Sequence, residues 1–89
     1  MTDDIDFQPV RDAALKPSDL AKLVGVGRVS CSYWLNGHQQ PHYLHRANVQ
    51  GIVDAIRRAT QSGLLPVPMH VMRRERAHYI RQALAKSSR

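Results

Sequence analysis

Residues 17–41 read PSDLAKLVGVGRVSCSYWLNGHQQP, and this stretch decides the fold. Pro17 marks a helix start, because proline sits well in a first helical turn and badly in an interior. Leu20, Ala21 and Val24 then recur at helical spacing, with Ser18, Asp19 and Lys22 on the other face. Gly25 ends that helix at a residue that must turn left-handed, and Gly27 opens the next at an N-cap position. A second short helix follows from Arg28 to about Leu35, and Asn36-Gly37 stops it. Two helices this short cannot stand alone, and a glycine turn between them predicts a helix-turn-helix. Small Ala21 lets the second helix approach the first, while Val26, Cys31 and Trp34 supply packing between them. Helix 28–35 is then held proud of the domain, with a width that suits the major groove of B-form DNA.

Outward from this centre the chain divides simply. Residues 1–8 lack apolar periodicity and read as a flexible acidic leader. Pro9 opens a short helix through Leu15, with Val10, Ala13 and Ala14 as apolar contacts. Past Pro41 a longer helix runs to about Gln61, its Val49, Ile52, Val53, Ile56 and Ala59 following an amphipathic face. Ser62-Gly63 ends it, and Leu64 to Pro68 reads as an extended connector. A last helix from about Met69 to Lys86 carries a stripe of Met69, Met72, Tyr79, Ile80, Ala83 and Leu84. The organisation expected is therefore a leader over 1–8, a helix-turn-helix domain over 9–62, and a connector with a basic helix over 63–89. The fold class is all-α.

The charge balance narrows the function. The chain has 89 residues, with 13 Lys plus Arg against 7 Asp plus Glu, a net of +6. Asp3, Asp4 and Asp6 put the acids of the leader ahead of a basic remainder, the last 21 residues holding six cations and one acid. Such a domain points towards a polyanion, since neutralisation by Lys and Arg drives nucleic-acid binding. One cysteine forms no internal disulfide, no run approaches the ~20 apolar residues of a membrane span, and the start lacks a basic signal segment. These features imply a soluble cytoplasmic protein. The chain is too short for a barrel or a doubly wound sheet.

The central stretch resembles the Cro and phage-repressor helix-turn-helix proteins, also called the xenobiotic-response-element type. The matching residues are Leu20-Ala21, Gly25-Val26, Arg28, Ser32, Trp34, Asn36-Gly37 and Pro41. The resemblance is strongest over 17–41, extends over 9–60 as a five-helix domain, and leaves 63–89 as an additional C-terminal helix segment. Three positions depart from the pattern. Pro17 stands where the family often has a glutamine on the DNA backbone, Cys31 replaces valine or isoleucine, and Leu35 replaces a common glutamate near the groove.

The resemblance implies a sequence-specific regulator of double-stranded DNA, a repressor of phage or mobile-element kind that reads the major groove as a homodimer. It sets Gly27, Arg28 and Val29 at the start of the recognition helix, the end that points at base edges. Arg28 would grip guanine O6 and N7 or hold a phosphate. Ser32 and Tyr33 face outward if Cys31 and Trp34 face in, with Tyr33 meeting a thymine methyl, a phosphate or only the domain edge. Ser30 is a further, weaker candidate. Asn36, His38 and Gln39 fall in the loop where family members meet phosphates. Pairing of two chains is expected through Met69, Met72, Tyr79, Ile80, Ala83 and Leu84, because Pro66 and Pro68 stiffen the connector and hold the last helix away from the core.

Other chemistry is expected to be absent. His38, His42 and His45 have helical ligand spacing, but Pro41 interrupts them and no cysteine or carboxylate completes a tetrahedral set. Cys31 reads as a small core residue, Ser30 and Ser32 lack an orienting acid, and neither enzyme activity nor a cofactor is expected. The rival reading from another class is a protein-interaction module, an antitoxin or a phage-encoded inhibitor of a host factor built on the same scaffold.

Overall fold

The computed structural model describes residues 4–87, and within them the chain is all-helical, with no strand. Five α-helices follow in order: α1 Gln8–Asp12, α2 Pro17–Val24, α3 Arg28–Leu35, α4 Tyr43–Gln61 and α5 Arg76–Ser87, the last entered through a 3-10 turn at Arg73–Glu75. Asp3 and the rest of residues 1–3 lie outside the described residues, as do 88–89.

The local signals around the helix pair act as their chemistry predicts. Pro17 occupies the first turn of α2. The Asp19 carboxylate accepts the Lys16 backbone N–H at 2.9 Å, satisfying one of the donors that a helix start leaves orphaned. Gly25 closes α2 at φ +86, a left-handed conformation that costs a side-chain-bearing residue roughly 1–2 kcal/mol. Gly27 precedes α3 in an extended conformation, and Asn36 and the left-handed Gly37 end it.

One core collects a face from every helix. Val10 and Ala13 come from the α1 region, Leu20 and Ala21 from α2, Cys31 and Trp34 from α3, and Val49, Val53, Ile56 and Ala59 from α4. Burying a side chain such as Leu20 or Ile56 fully contributes about 1.5–3 kcal/mol each.

Two sequence expectations need correction. The leader is not loose where it is described: Ile5 and Phe7 are core residues. The Phe7 ring stacks on Trp34 with centroids 6.0 Å apart, and the Gln40 amide clasps Ile5, accepting its N–H at 2.8 Å and donating to its carbonyl at 3.3 Å. The acids around these two residues mask them as a polar run, yet Phe7 caps the inner face of α3.

The second correction concerns the C-terminal segment. It does not stand apart as a sixth helix but supplies the fifth helix of the single core. Leu65 is buried, Leu64 and Leu65 donate to the Ala59 carbonyl, and the Leu64 carbonyl accepts the Tyr79 hydroxyl at 2.7 Å. The connector is therefore anchored, and Pro66 and Pro68 do not hold α5 away. The stripe expected to pair chains divides instead. Ile80 and Ala83 are 1% and 2% exposed in the chain's own core, and Tyr79 and Leu84 are packed against it. Met69 and Met72 precede the helix and stay exposed, since the helical run starts only at the 3-10 turn. At the far end Ser87 Oγ donates to the Ala83 and Ala55 carbonyls, and Arg58 donates to the Ser87 carbonyl at 2.9 Å.

Candidate nucleic-acid interface

The 3.6-residue period of α3 sends Cys31 and Trp34 inward, both buried, and turns Arg28, Val29, Ser32 and Tyr33 outward. Val29 is 61% and Tyr33 44% exposed, so this helix has one face in the core and one turned to solvent. The outward residues border an open groove whose other wall is the start of α2, Lys16, Pro17 and Ser18. Gly27 is exposed at the entry to α3. Ser30 lies half-buried on the flank and does not line the groove.

The C-terminal end of α3 is braced. The Tyr33 carbonyl accepts the backbone N–H groups of His38 and Gln39 at 2.9 and 3.4 Å, and the His38 ring meets Tyr33 edge-on with centroids 6.3 Å apart. Asn36 Nδ2 donates to Ser32 Oγ at 3.4 Å. Arg11 donates to the Leu35 carbonyl, which places a cation at the negative end of the helix dipole. Arg28, Val29, Ser32, Tyr33, Asn36, His38 and Gln39 thus form one continuous run of outward positions. Leu35 packs half-buried against the core and does not line the groove.

The groove is positively charged in its first turn, with Arg28 on one wall and Lys16 on the other. Lys16 and Ser18 were not among the sequence candidates. The signal was present, a cation immediately before the proline that opens α2, but only the fold brings it opposite Arg28. The start of α4 also escaped notice: Tyr43 and Leu44 are each 71% exposed, behind an N-cap where His42 Nδ1 accepts the Leu44 N–H.

Behind the groove lies a charged latch. Asp19, 8% exposed, accepts Arg76 Nε at 3.2 Å and Arg76 Nη2 at 3.0 Å, while Arg76 Nη2 also reaches the Ala14 carbonyl at 3.3 Å. Burial pushes the Asp19 carboxyl upward, but the Arg76 hydrogen bonds, the Lys16 N–H and the charges of Arg76 and Lys16 outweigh it and hold the group below its usual range. Burial pushes the Cys31 thiol up to about 11, so it stays protonated in the core.

Among the described residues no group of three His, Cys, Asp or Glu is arranged to hold a metal, and no helix is long and apolar enough to cross a membrane. No family model matches the chain, and neither a curated protein nor a solved structure does.

Proposed function

We propose that the chain is a sequence-specific double-stranded DNA-binding regulator of the Cro and phage-repressor type, reading the major groove with α3. One observation carries this reading. A short helix is locked on its inner face by Cys31 and Trp34, and its outer face offers Arg28, Val29, Ser32 and Tyr33 beside a second cation, Lys16. The types suit the task. A guanidinium pairs with guanine O6 and N7, a hydroxyl reads either base class, and apolar Val29 and the Tyr33 ring suit a thymine methyl. Lys16, Ser18 and the loop residues Asn36, His38 and Gln39 would hold phosphates on either side, fixing register without reading sequence.

One recognition helix spans few base pairs, so the reading includes two copies on half-sites about 34 Å apart. With Ile80 and Ala83 committed to the core, that pairing does not run through those two residues. The test is selection of bound duplexes from a random pool at moderate salt. A recovered consensus with two-fold symmetry is the expected result, and recovery of unrelated sequences refutes specific readout.

A second reading, a protein-interaction module, is favoured by the exposure of Tyr43 and Leu44. Duplex affinity that is weak and unresponsive to salt would select it.

A further inference from the structure

Arg73 and Arg74 have no role in the site described so far, and the fold ties the turn that carries them to the start of α2 through the next residue, Arg76. Three links establish the placement. Lys16, Pro17 and Ser18, at the start of α2, form one wall of the recognition groove. Asp19, the next residue, is held by Arg76 at the first position of α5. Arg76 also holds the Ala14 carbonyl, on the other side of Lys16 in sequence. The C-terminal segment is therefore docked on the very turn that borders the groove. The 3-10 turn leading into Arg76 carries Arg73 and Arg74, both exposed, and neither has a carboxylate partner among the described residues. Arg74 is turned only as far as a long contact, 3.8 Å, with the Met72 sulfur.

The chemistry of the latch supports a docking role. Asp19 takes the Nε and Nη2 of Arg76 and the Lys16 N–H, so its carboxylate is already engaged by the latch and pairs with neither Arg73 nor Arg74. Asp19 is also the one acid lining the cleft between α2 and α5, where Lys22 and Arg81 add two more cations. The contrast with the α1 face is clear. There Asp6 and Asp12 line the surface, and Arg57 is engaged by Asp54 at 3.3 Å.

We infer that Arg73 and Arg74 form a second phosphate-binding strip. Docked by the Arg76–Asp19 latch, they contact the duplex backbone flanking the segment read by α3 and lengthen the footprint of each copy. The inference rests on the DNA-binding reading of α3 and adds the partner atoms of a different segment. Phosphate contacts of this kind add affinity without sequence preference and release condensed counterions.

The test compares the full chain with an Arg73→Ala, Arg74→Ala double variant on the duplex recovered by selection, measuring affinity across a salt series and the hydroxyl-radical footprint. Arg57→Ala serves as a control from the acidic face. Thermal melting checks that the exposed changes leave the fold intact. The expected result is a slope of log affinity against log salt that becomes shallower by about 0.9 for each phosphate no longer neutralised. The same consensus should be retained, with a footprint shortened at its flanks. Arg57→Ala should leave slope and footprint as they were. An unchanged slope and footprint in the double variant, with the full chain still binding its consensus, overturns the strip and leaves the α3 reading standing. Absence of any salt-dependent duplex binding by the full chain overturns both.

Discussion

Replacing Ile80 by alanine separates the two places where α5 can bury its apolar face. Ile80 is 1% exposed and sits among core residues contributed by the same chain. Ile80→Ala removes three carbons, which at about 0.8 kcal/mol per buried carbon costs about 2.4 kcal/mol of transfer free energy. The neighbouring helices close only part of the space, and the remaining cavity brings the total to roughly 3–4 kcal/mol. For a domain of this size each 1 kcal/mol shifts Tm by about 4–8 °C, so a drop of about 12–24 °C is expected for a loss of about 3 kcal/mol. The assay is urea and thermal unfolding followed by circular dichroism at two protein concentrations a hundredfold apart, with Met69→Ala, fully exposed, as the reference change. The reference should stay within about 0.5 kcal/mol of the parent. A loss below about 1 kcal/mol for Ile80→Ala refutes the packing. So does a midpoint that moves with concentration because of α5, since the helix then finds its partner on a second chain.

Three further outcomes are expected. Arg28→Ala should weaken binding to the selected duplex by about 1–3 kcal/mol with melting unchanged, and an unaltered Kd would remove Arg28 from recognition. The stability that the Asp19–Arg76 latch contributes is full above the ordinary aspartate value near 3.8 and lost as pH falls through the lower folded value. Urea midpoints from pH 5 down to 2 should therefore fall less steeply in Asp19→Asn than in the parent, and parallel curves would exclude the latch. Gly25→Ala and Gly51→Ala should act with opposite signs, although an added Cβ meets nothing within 4 Å at either place. The first forces a side chain to φ +86 and should cost about 1–2 kcal/mol, the second relieves a helix-interior glycine and should add about 1 kcal/mol, both measured by chemical unfolding.

What was legible in the chain beforehand was what neighbouring residues decide between themselves. Pro17, Gly25, Gly27 and Asn36-Gly37 each act within one turn of chain, and the bounds of α2 and α3 follow from them. The outward positions of α3 follow too, once Cys31 and Trp34 are inward. The features that escaped notice join distant residues. Phe7 finds Trp34, Ile5 finds Gln40, and Arg76 finds Asp19 across 57 positions. No periodicity announces such pairs. The Met69–Leu84 stripe misled for a related reason. Spacing places residues on one side of an imagined helix, but Met69 and Met72 precede the turn where the helix begins, and only Ile80 and Ala83 are buried in the core. Lys16 was overlooked because its value lies in standing across a groove from Arg28, which is a property of the fold.

The latch between Arg76 and Asp19 also orders events during synthesis. The pair of helices α2 and α3 is complete in sequence by Pro41, yet the residues that brace it from behind come later in the chain, in α5. A nascent chain that has reached α4 exposes the apolar surfaces later covered by Leu65, Ile80 and Ala83, and its Asp19 still faces water without a guanidinium. Folding of this unit is therefore closed from its C-terminal side, in contrast to the usual N-terminal-first order between domains. Translation that stalls before Arg76 leaves a chain with an open core, a ready substrate for chaperones and proteases, so only chains carried through α5 accumulate as the closed fold.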